Sequence, residues 1–382
     1  MSDALRASTS AGRRGLTQIK PAGSRRRENA SVRPDPPVEL LERLHARDSA
    51  LTLSEKVAHL SRPESYPEKP AAVEVVQTHM SWVFLAGDRV YKLKKPVRYP
   101  FLDYSTAEAR RESCAREVLL NRRLAGAVYR RVVPLTLRDD STLQLGGSGR
   151  TVDWLVKMRR LPAHRMLDAA IRENTVGAGD IRRLGCVLGR FYRSASPVAI
   201  NAARYRIGFQ LGIRANRGEL VQPRFGLDAA PVERLARAQH AFIARRGGLL
   251  ERRAREARIV DAHGDLRPEH VCLLPEPVVI DCLEFKREFR FLDPVDELAY
   301  LAMECERLGG AAVGDEVLRR YLAASGDDPG IGLIAFYKSF RAFLRAKIAI
   351  WHIADHDVRD TERWRARARD YLRLAESYTR NW

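Results

Sequence analysis

The feature that most constrains the fold is the stretch from His263 to Asp281. It begins with His-Gly-Asp, in which the acid is Asp265, continues to His270, and ends in an apolar run that stops at Asp281. Two apolar segments around a Pro-Glu-Pro turn predict a β-hairpin between His270 and Asp281. A carboxylate on an irregular loop can accept a hydroxyl proton, and one at the end of a hairpin can hold a metal ion against nucleotide phosphates. The spacing therefore predicts a loop for phosphoryl transfer.

Six strings of the sequence resemble one known family. They are HGDLRPEHV, VVIDCLEF, DPVDELAYL, THMSWVFL, VYKLKKPVRYPFLDYST and FYKSFRAFLRAK. They are similar to the aminoglycoside phosphotransferase and choline kinase branch of the protein kinase-like fold, and most similar to a bacterial group of uncharacterised aminoglycoside phosphotransferase family enzymes. The resemblance runs from about residue 66 to about residue 350. Its specificity comes from the combination, because His-Gly-Asp alone is a weak signal.

The resemblance implies an α+β, two-lobed protein kinase-like fold, with a small β-rich N-lobe and a larger, mainly helical C-lobe. The expected parts are a basic disordered tail at 1–37, a short helical extension at 38–70, an N-lobe at 71–160 that ends in a hinge, and a C-lobe at 161–382. The C-lobe would contain the catalytic loop 263–270 and the metal strand 278–281.

Apolar periodicity predicts the elements of the first half. The predicted helices are Val38–His45, Ser54–Leu60 with Ser54 as its N-cap, and Thr106–Leu124; the predicted strands are Val73–Gln77, Trp82–Leu85, Val90–Leu93, Val132–Leu137 and Thr151–Met158. The two-residue Gly-Asp loop at 87–88 is typical of a β-hairpin. Beyond residue 160 the pattern is mainly helical, apart from the hairpin before Asp281.

By resemblance, the acids around the loop would divide the chemistry. Asp265 would orient and deprotonate the acceptor hydroxyl, and Asp281 would hold the metal ion. His263 would bond the loop backbone, while Asp296 would accept hydrogen bonds from the same backbone and fix Asp265. Asp296 also suits the start of a helix, because an Asp-Pro pair precedes it and places it at the third helical position. Asp296 is therefore assigned both roles. Glu284 is either a supporting carboxylate or an ordinary loop acid.

A strand lysine would hold the nucleotide phosphates. Lys92 is preferred because it lies between apolar neighbours, and Lys94 is the competitor on the same strand face. The three lysines Lys92, Lys94 and Lys95 also suit a guard against edge-strand aggregation. A glutamate on the next helix would orient the lysine: Glu117, beside three apolar residues, is preferred over Glu108 and Glu112, which suit surface pairs with arginine.

The implied cofactors are ATP or GTP with Mg²⁺ or Mn²⁺, and the backbone at Met158 would bind the purine. His270 stands where the family has asparagine, and imidazole is a poor Mg²⁺ ligand but acceptable to Mn²⁺ or Zn²⁺. Three interpretations stay open: one metal ion held by Asp281 alone, a Mn²⁺ preference, or nucleotide binding without catalysis. The loop Thr78–Ser81 lacks the glycines of a phosphate cradle, which favours weak or rearranged nucleotide binding.

The net charge of +19 makes nucleic acid a partner to consider. Residues 1–37 contain eight Arg or Lys and three acids, so they carry +5 and leave +14 for the rest. A basic, Ser- and Pro-rich segment suits weak binding of RNA or anionic lipid. A solvated leader or a start codon assigned too early is the preferred explanation, because no aromatic residues are interleaved for base stacking. The run Arg245–Arg258 is interpreted as the solvated face of a helix.

Cysteine usage and hydropathy indicate a cytoplasmic location without membrane association. The five cysteines are odd in number and form no C-x-x-C pair, which favours free buried thiols in a reducing compartment. No apolar stretch reaches the ~18 residues of a membrane span, and the start lacks the apolar segment of a secretory signal.

The favoured function is phosphoryl transfer from ATP or GTP to a hydroxyl of a small molecule. The alternatives are a nucleotide-sensing pseudokinase, favoured by His270 and the missing glycines, and an RNA-binding protein, favoured by charge alone. Aminoglycosides are polycations, whereas this chain is basic, so we expect a neutral or anionic acceptor and no efficient phosphorylation of kanamycin. The alternative is a local acidic pocket formed by Asp293, Asp296, Glu297, Glu304 and Glu306.

Overall fold

The alternating apolar residues of the first half form an antiparallel sheet in the computed structural model, which describes residues 51–99, 102–354 and 360–382. Its strands are β1 (Val73–Gln77), β2 (Ser81–Ala86), β3 (Arg89–Lys94), β4 (Arg98–Tyr99), β5 (Leu102–Asp103), β6 (Tyr129–Leu137), β7 (Leu143–Leu145) and β8 (Arg150–Arg159). Six of them form one sheet in the order β1-β2-β3-β8-β6-β7, and β4 and β5 form a separate pair. The short strands β4, β5 and β7 are additions to the predicted set.

The Gly87-Asp88 loop fixes the register of the central strands. Ala86 pairs directly with Arg89, so the loop between β2 and β3 has two residues, as predicted. Gly87 has φ +63°, a conformation that favours glycine. This register gives Lys92 and Lys94 their positions on β3 opposite Val83 and Ser81.

Helix α1 (Leu53–Leu60) begins one residue earlier than predicted, and its cap is Thr52 rather than Ser54. The Thr52 hydroxyl accepts the Glu55 N–H at 3.2 Å, and the Glu55 carboxylate accepts the Thr52 N–H at 2.7 Å. This reciprocal capping box satisfies two amides that a helix start leaves unpaired, which explains the earlier start. The predicted helix Val38–His45 and the tail 1–37 lie outside the described residues.

Helix α2 (Ala107–Ala125) packs across the sheet against β6 and β8. Thr106 caps it by accepting the Ala109 N–H at 3.1 Å. Its buried face carries Cys114 and Val118, which pack with Val156 and Met158 of β8. Helix α2 thereby brings one polar residue of the same face, Glu117, to the inner side of the sheet.

The remainder is mainly helical, as predicted. Its helices are α3 (Leu167–Arg172), α4 (Ala178–Ser194), α5 (Ala202–Leu220), α6 (Ala229–Arg255), α7 (Pro294–Arg307), α8 (Ala311–Ser325), α9 (Ile331–Trp351) and α10 (Thr361–Ser377). Its short strands are β9 (Val260–Asp261), β10 (Val271–Cys272), β11 (Val278–Val279) and β12 (Phe291–Leu292), and β10 pairs with β11 as the predicted hairpin. Helices α7 and α9 are buried along most of their length and form the centre of the larger core.

One arginine of the run Arg245–Arg258 corrects the prediction of a solvated face. Arg253 is 1% exposed, and its guanidinium donates to Asp293 at 2.6 and 2.8 Å and to Asp327 at 2.5 Å. Asp293 also accepts the Val295 N–H at 2.9 Å and so caps α7. Two carboxylates buried together require a cation. Arg253 of α6 is that cation, and it thereby holds the N-terminus of α7.

These elements confirm the predicted α+β, two-lobed kinase-like fold. A sheet with one long helix stands before a helical part that contains the loop and hairpin. No helix of the described ranges is long and apolar enough to cross a membrane. All five cysteines are free, and Cys186 differs from the prediction in being exposed.

Candidate active site

The loop 263–270 turns sharply at Gly264. This residue has φ +93°, and a Cβ added there would lie 3.0 Å from the Leu283 side chain and 3.1 Å from that of Arg290. A side chain at this position would therefore be strained in conformation and crowded by its neighbours. The turn sets the next residue, Asp265, at the edge of a cleft that the sheet and the helical part share.

His263 ties the loop to the end of β11. Its Nδ1 accepts the Asp265 N–H at 3.3 Å, and its Nε2 donates to the Ile280 carbonyl at 2.9 Å. Burial lowers the pKa of His263 to about 3, and the nearby His270 adds to the shift. The ring is therefore neutral, with its proton on Nε2, and it connects the backbone before Asp281 to that of Asp265.

Glu297, and not Asp296, holds the loop backbone. The Glu297 carboxylate accepts the N–H groups of His263 at 3.0 Å and Gly264 at 2.5 Å, whereas Asp296 accepts two bonds from Arg341, at 2.7 and 2.6 Å. The predicted role of Asp296 is therefore wrong. Neighbouring residues of a helix point about 100° apart, so only one of two consecutive acids can face the loop.

Asp265 has its carboxylate held from two sides. Its Oδ1 accepts the Arg267 Nε at 3.0 Å and the Tyr300 hydroxyl at 3.1 Å. Burial raises the pKa of Asp265, but the electrostatic effects of Arg267, His270 and Arg345 outweigh it and lower the pKa to about 2. Asp265 is thus ionised throughout the physiological range.

His270 lies between the two carboxylates of the site. Its Nδ1 donates to the Asp265 carbonyl at 2.8 Å, and its Nε2 accepts from the Arg267 guanidinium at 3.0 Å, because arginine can only donate. Its ring nitrogens lie 3.7 Å from Asp265 Oδ2 and 3.6 Å from Asp281 Oδ2. Arg267 would have to release Nε2 before His270 could bind a metal ion.

Asp281 ends the hairpin in a strained conformation. Its φ is +62°, which costs a residue other than glycine about 1–3 kcal/mol and is common at functional sites. Its N–H donates to the Tyr129 hydroxyl at 3.1 Å, and its Oδ1 lies 2.6 Å from Lys92 Nζ. Burial raises the pKa of Asp281, yet Lys92 and His270 hold it well below the usual range.

Glu117 is shared by two lysines. Its Oε1 lies 3.1 Å from Lys92 Nζ and its Oε2 lies 2.5 Å from Lys94 Nζ, which also bonds Glu284 at 2.6 Å. Lys94 is 1% exposed, whereas Lys92 reaches the open part of the cleft. The structure therefore brings together Lys92, Lys94 and Glu117. Glu284 is a buried partner of Lys94. Glu108 bonds Arg111 on the surface, as expected.

Helix α2 is also linked to the segment after Asp281. Asn121, one turn beyond Glu117, accepts the Cys282 N–H at 2.9 Å. The same helix therefore positions Glu117 against the lysines and the backbone next to Asp281. Sequence analysis did not single out Asn121.

Met158 lies near the end of β8, opposite Val90 and Tyr129, and lines the cleft. The next two amides are used inside the fold: Arg159 donates to the Val128 carbonyl and Arg160 to that of Asp88, both at 2.9 Å. Strand β8 therefore ends at Arg159, and the residues that follow it, Arg160 and Leu161, line the cleft.

The loop between β1 and β2 is closed on itself. The Thr78 hydroxyl accepts the Ser81 N–H at 3.0 Å, and the Thr78 N–H donates to the Ser81 carbonyl at 2.8 Å. These groups are engaged within the turn, so they do not form a row of free amides for phosphate.

The cleft has a volume of about 1230 Å³ and is lined by Lys92, Met158, Asp265 and Asp281. This exceeds the roughly 300–1,000 Å³ of a pocket for one small ligand, which leaves room for two. Within residues 51–99, 102–354 and 360–382, no three His, Cys, Asp or Glu side chains are grouped as a metal site.

Comparison by sequence finds relatives without an assigned function. No family model matches the chain. Uncharacterized proteins of Mycobacterium tuberculosis and Mycobacterium bovis are 34% identical to it over 281 residues, which cover 72% of this chain and 54% of each relative. The chain spans about half the length of the curated relatives it matches.

Comparison by structure finds proteins described as kinases or phosphotransferases. A choline/ethanolamine kinase family protein from Mesorhizobium loti is 17% identical with a TM-score of 0.46, over 85% of this chain and 99% of that one. Plasmodium vivax ethanolamine kinase is 8% identical with a TM-score of 0.48, over 91% and 95%. The GDP complex of aminoglycoside 2'-phosphotransferase-IIIa is 15% identical with a TM-score of 0.48, over 86% and 99%. These TM-scores are all below 0.5, so the structural comparisons carry no argument about this chain. The kinase-like organisation rests instead on the Lys92–Glu117 pair, the loop 263–270 and the β10–β11 hairpin of the chain itself.

Proposed function

We propose that this chain transfers the terminal phosphoryl group of ATP or GTP to a hydroxyl group of a small molecule. The observation that carries the proposal is the meeting of Lys92, Asp265 and Asp281 in one cleft, with the ring of His270 between the two carboxylates. Phosphoryl transfer needs a positioned hydroxyl and neutralised phosphate charge. The cleft offers a residue for each requirement.

Lys92 would bind the nucleotide phosphates. It is held by Glu117 at 3.1 Å, so it can exchange its contact with Asp281 for a phosphate oxygen without losing its position. Lys94 would act indirectly, because it is buried between Glu117 and Glu284 and keeps Glu117 in place. This gives the two neighbouring lysines different tasks.

The purine would bind the backbone just after Met158. The amides of Arg159 and Arg160 are already bonded to carbonyls, whereas none of the described residues accepts a hydrogen bond from the amide of Leu161. Leu161 lines the cleft. We therefore assign the donor to the purine to Leu161, three residues beyond the predicted position.

Asp281 would hold a metal ion, with His270 as a second candidate. A bound Mg²⁺ or Mn²⁺ would neutralise charge on the nucleotide phosphates. One or two protein carboxylates suffice for an ion that is bound mainly by phosphate oxygens, and Asp281 fits that requirement. The imidazole of His270 suits Mn²⁺ better than Mg²⁺, and its Nε2 is engaged by Arg267.

Asp265 would orient the acceptor hydroxyl. A carboxylate with a pKa of about 2 is too weak a base to remove the hydroxyl proton before transfer. Its main effect is therefore to align the hydroxyl oxygen with the phosphorus. Its Oδ2 is available for that contact, because Arg267 and Tyr300 both bond Oδ1 and the nearest ring nitrogen of His270 lies 3.7 Å from Oδ2. The proton would pass to Asp265 late, as the oxygen–phosphorus bond forms.

Nucleotide binding without catalysis is the second candidate. It is favoured by Arg267, which bonds both Asp265 and His270, and by the closed turn at Thr78–Ser81. The RNA-binding alternative depends on residues 1–37, which lie outside the described residues and leave it a prediction.

A thermal-shift panel with ATP and GTP, each with Mg²⁺ or Mn²⁺, tests the proposal when it is combined with a turnover assay. Binding raises the melting temperature by mass action. We expect a shift in the wild type that Lys92→Ala loses and the exposed control Lys69→Ala keeps. Absence of any nucleotide shift would refute both candidates. A shift without metal-dependent turnover would favour the non-catalytic one.

A further inference from the structure

The acids that could have attracted a cationic acceptor are already neutralised. Asp293 is paired with Arg253, and Asp296 with Arg341. Glu304 accepts bonds from both Arg307 and Arg345, at 2.8 Å each. Of the remaining acids in this cluster, Glu297 bonds the loop backbone and Glu306 the Tyr378 hydroxyl. The described part of the cluster therefore provides no acidic pocket for a polycation.

The opposite charge dominates where helices α9 and α10 line the cleft. Arg345 of α9 and Arg367 of α10 both belong to the cleft wall, as does Asp265. Arg345 acts electrostatically on Asp265, and Tyr300 lies beside both, with its hydroxyl 3.1 Å from Asp265 Oδ1. Arg345 therefore lies close to the place where an acceptor hydroxyl would meet Asp265, and Arg367 is a charged neighbour of Arg345 on the same wall.

Arg345 uses only part of its guanidinium. Its Nε donates to Glu304 at 2.8 Å and lies 3.3 Å from the Tyr371 hydroxyl. Its two terminal amino groups have no acceptor among the residues that the structure describes. An arginine held through Nε keeps those two donors in a fixed plane, which is the geometry that carboxylates and phosphates match.

Arg367 has no acidic partner within the described ranges. Its guanidinium lies 5.5 Å from the centre of the Trp364 ring, which also lines the cleft. Burial lowers the pKa of Arg367, and the charges of Arg307 and Arg345 lower it further against the opposing effect of Tyr371 and Glu304. A cation that is partly desolvated beside other cations is costly without an anion.

We propose that Arg345 and Arg367 form a binding site for an anionic group of the acceptor, a phosphate or a carboxylate, beside the hydroxyl that Asp265 orients. The term acceptor rests on the proposed phosphoryl transfer. The anion site itself is a property of the unliganded chain. It makes the substrate a small hydroxyl compound with a negative charge, and it assigns its recognition to α9 and α10.

Titration with inorganic phosphate and with acetate, at an ionic strength kept constant with chloride, tests the site without any turnover. We expect Arg367→Gln to weaken phosphate or acetate binding roughly tenfold or more, since a hydrogen bond to a charged group is lost. The control Arg373→Gln, on the exposed side of the same helix, should bind as the wild type does. Tighter phosphate binding would identify a phosphorylated acceptor, and tighter acetate binding a carboxylate; either supports the site.

Unchanged affinity in Arg367→Gln would overturn the site, and so would loss of binding in Lys92→Ala alone, which would place the ion on the nucleotide side. The two proposals fail separately. Arg367-dependent phosphate binding in a chain that never turns over nucleotide would retire the enzymatic function and keep the site. Turnover of a neutral acceptor with an unchanged KM in Arg367→Gln would keep the enzymatic function and overturn the anion site.

Discussion

The two sides of the cleft treat buried charge differently. On the side of the sheet, where we propose that nucleotide binds, Lys92 and Lys94 share Glu117, and each has a second carboxylate, Asp281 or Glu284. On the side of helices α9 and α10, where we propose that the acceptor binds, Arg367 has no acidic partner in the part of the chain that the structure describes. One side is neutralised within the protein, and the other carries excess positive charge.

This difference in charge pairing distinguishes residues that hold the geometry of the site from residues that we propose bind a ligand. Paired charges fix geometry and are costly to disturb, whereas an unpaired charge lowers stability and is retained where function needs it. In the proposed function Lys92 combines both, because Glu117 anchors it while Asp281 would give way to phosphate. The comparison therefore predicts opposite effects of mutation on the two sides.

The largest effect is expected at Asp265, where the two sides meet. Asp265→Asn removes the charge that orients the acceptor, so turnover should fall roughly 10²–10⁴-fold. Nucleotide affinity should stay unchanged, because Lys92 and Glu117 are untouched. Steady-state kinetics together with a nucleotide thermal shift measures both quantities. Turnover equal to that of the wild type would remove Asp265 from the proposed role.

The next effect compares stability on the two sides. Glu117→Gln breaks a buried ion pair and should lower the free energy of unfolding by about 3 kcal/mol, the low end of the range for buried pairs, since each lysine keeps one carboxylate. Arg367→Gln should change it by less than about 0.5 kcal/mol or raise it, because no partner is lost. Denaturant unfolding measures both variants. Equal destabilisation would contradict the comparison.

A smaller effect is expected from His270→Asn. If the position binds metal, the amide oxygen should raise Mg²⁺-supported turnover relative to Mn²⁺-supported turnover. The assay is turnover with each ion in the wild type and the variant. An unchanged ratio would restrict His270 to its contacts with Asp265 and Arg267.

The last prediction concerns the protonation of His263. Its pKa is lowered to about 3 by burial, so the folded state binds its proton less readily than the unfolded state. The stability due to this group is complete above the unfolded value of about 6.5 and is lost as the pH falls towards 3. Imidazole NMR resonances should show His263 neutral at pH 5. Protonation of His263 in the folded protein at that pH would contradict the buried, backbone-bonded ring.

Short-range signals explain what the sequence predicted of the fold. The Gly87-Asp88 loop and the Pro-Glu-Pro turn before β11 each determine their own hairpin, so their strands were predictable from adjacent residues. The predicted cap of α1, Ser54, gives way to Thr52 because Thr52 and Glu55 form a reciprocal pair of hydrogen bonds. Strand β7 was missed because it has three residues beside a glycine-rich turn.

The site depended on tertiary contacts that a pattern does not encode. Asp296 and Glu297 are consecutive acids, and only the direction of α7 decides which one meets the loop. Lys92 and Lys94 share a strand face, and only the depth of α2 decides which one is buried. The [ST]-x-x-[DE] pattern at Thr52 offered a usable signal, whereas nothing comparable marked Arg367.

The most direct test of the account is transfer of labelled phosphate from ATP or GTP, with Mg²⁺ or Mn²⁺, to a panel of hydroxyl compounds that are anionic, neutral or polycationic. The account predicts metal-dependent transfer that is best for anionic compounds, depends on Asp265 and is absent for kanamycin. Transfer to kanamycin with a saturable, submillimolar KM, in the range usual for substrates, would contradict the inferred acceptor. Absence of transfer to every compound tested, with either nucleotide and either ion, would contradict phosphoryl transfer itself.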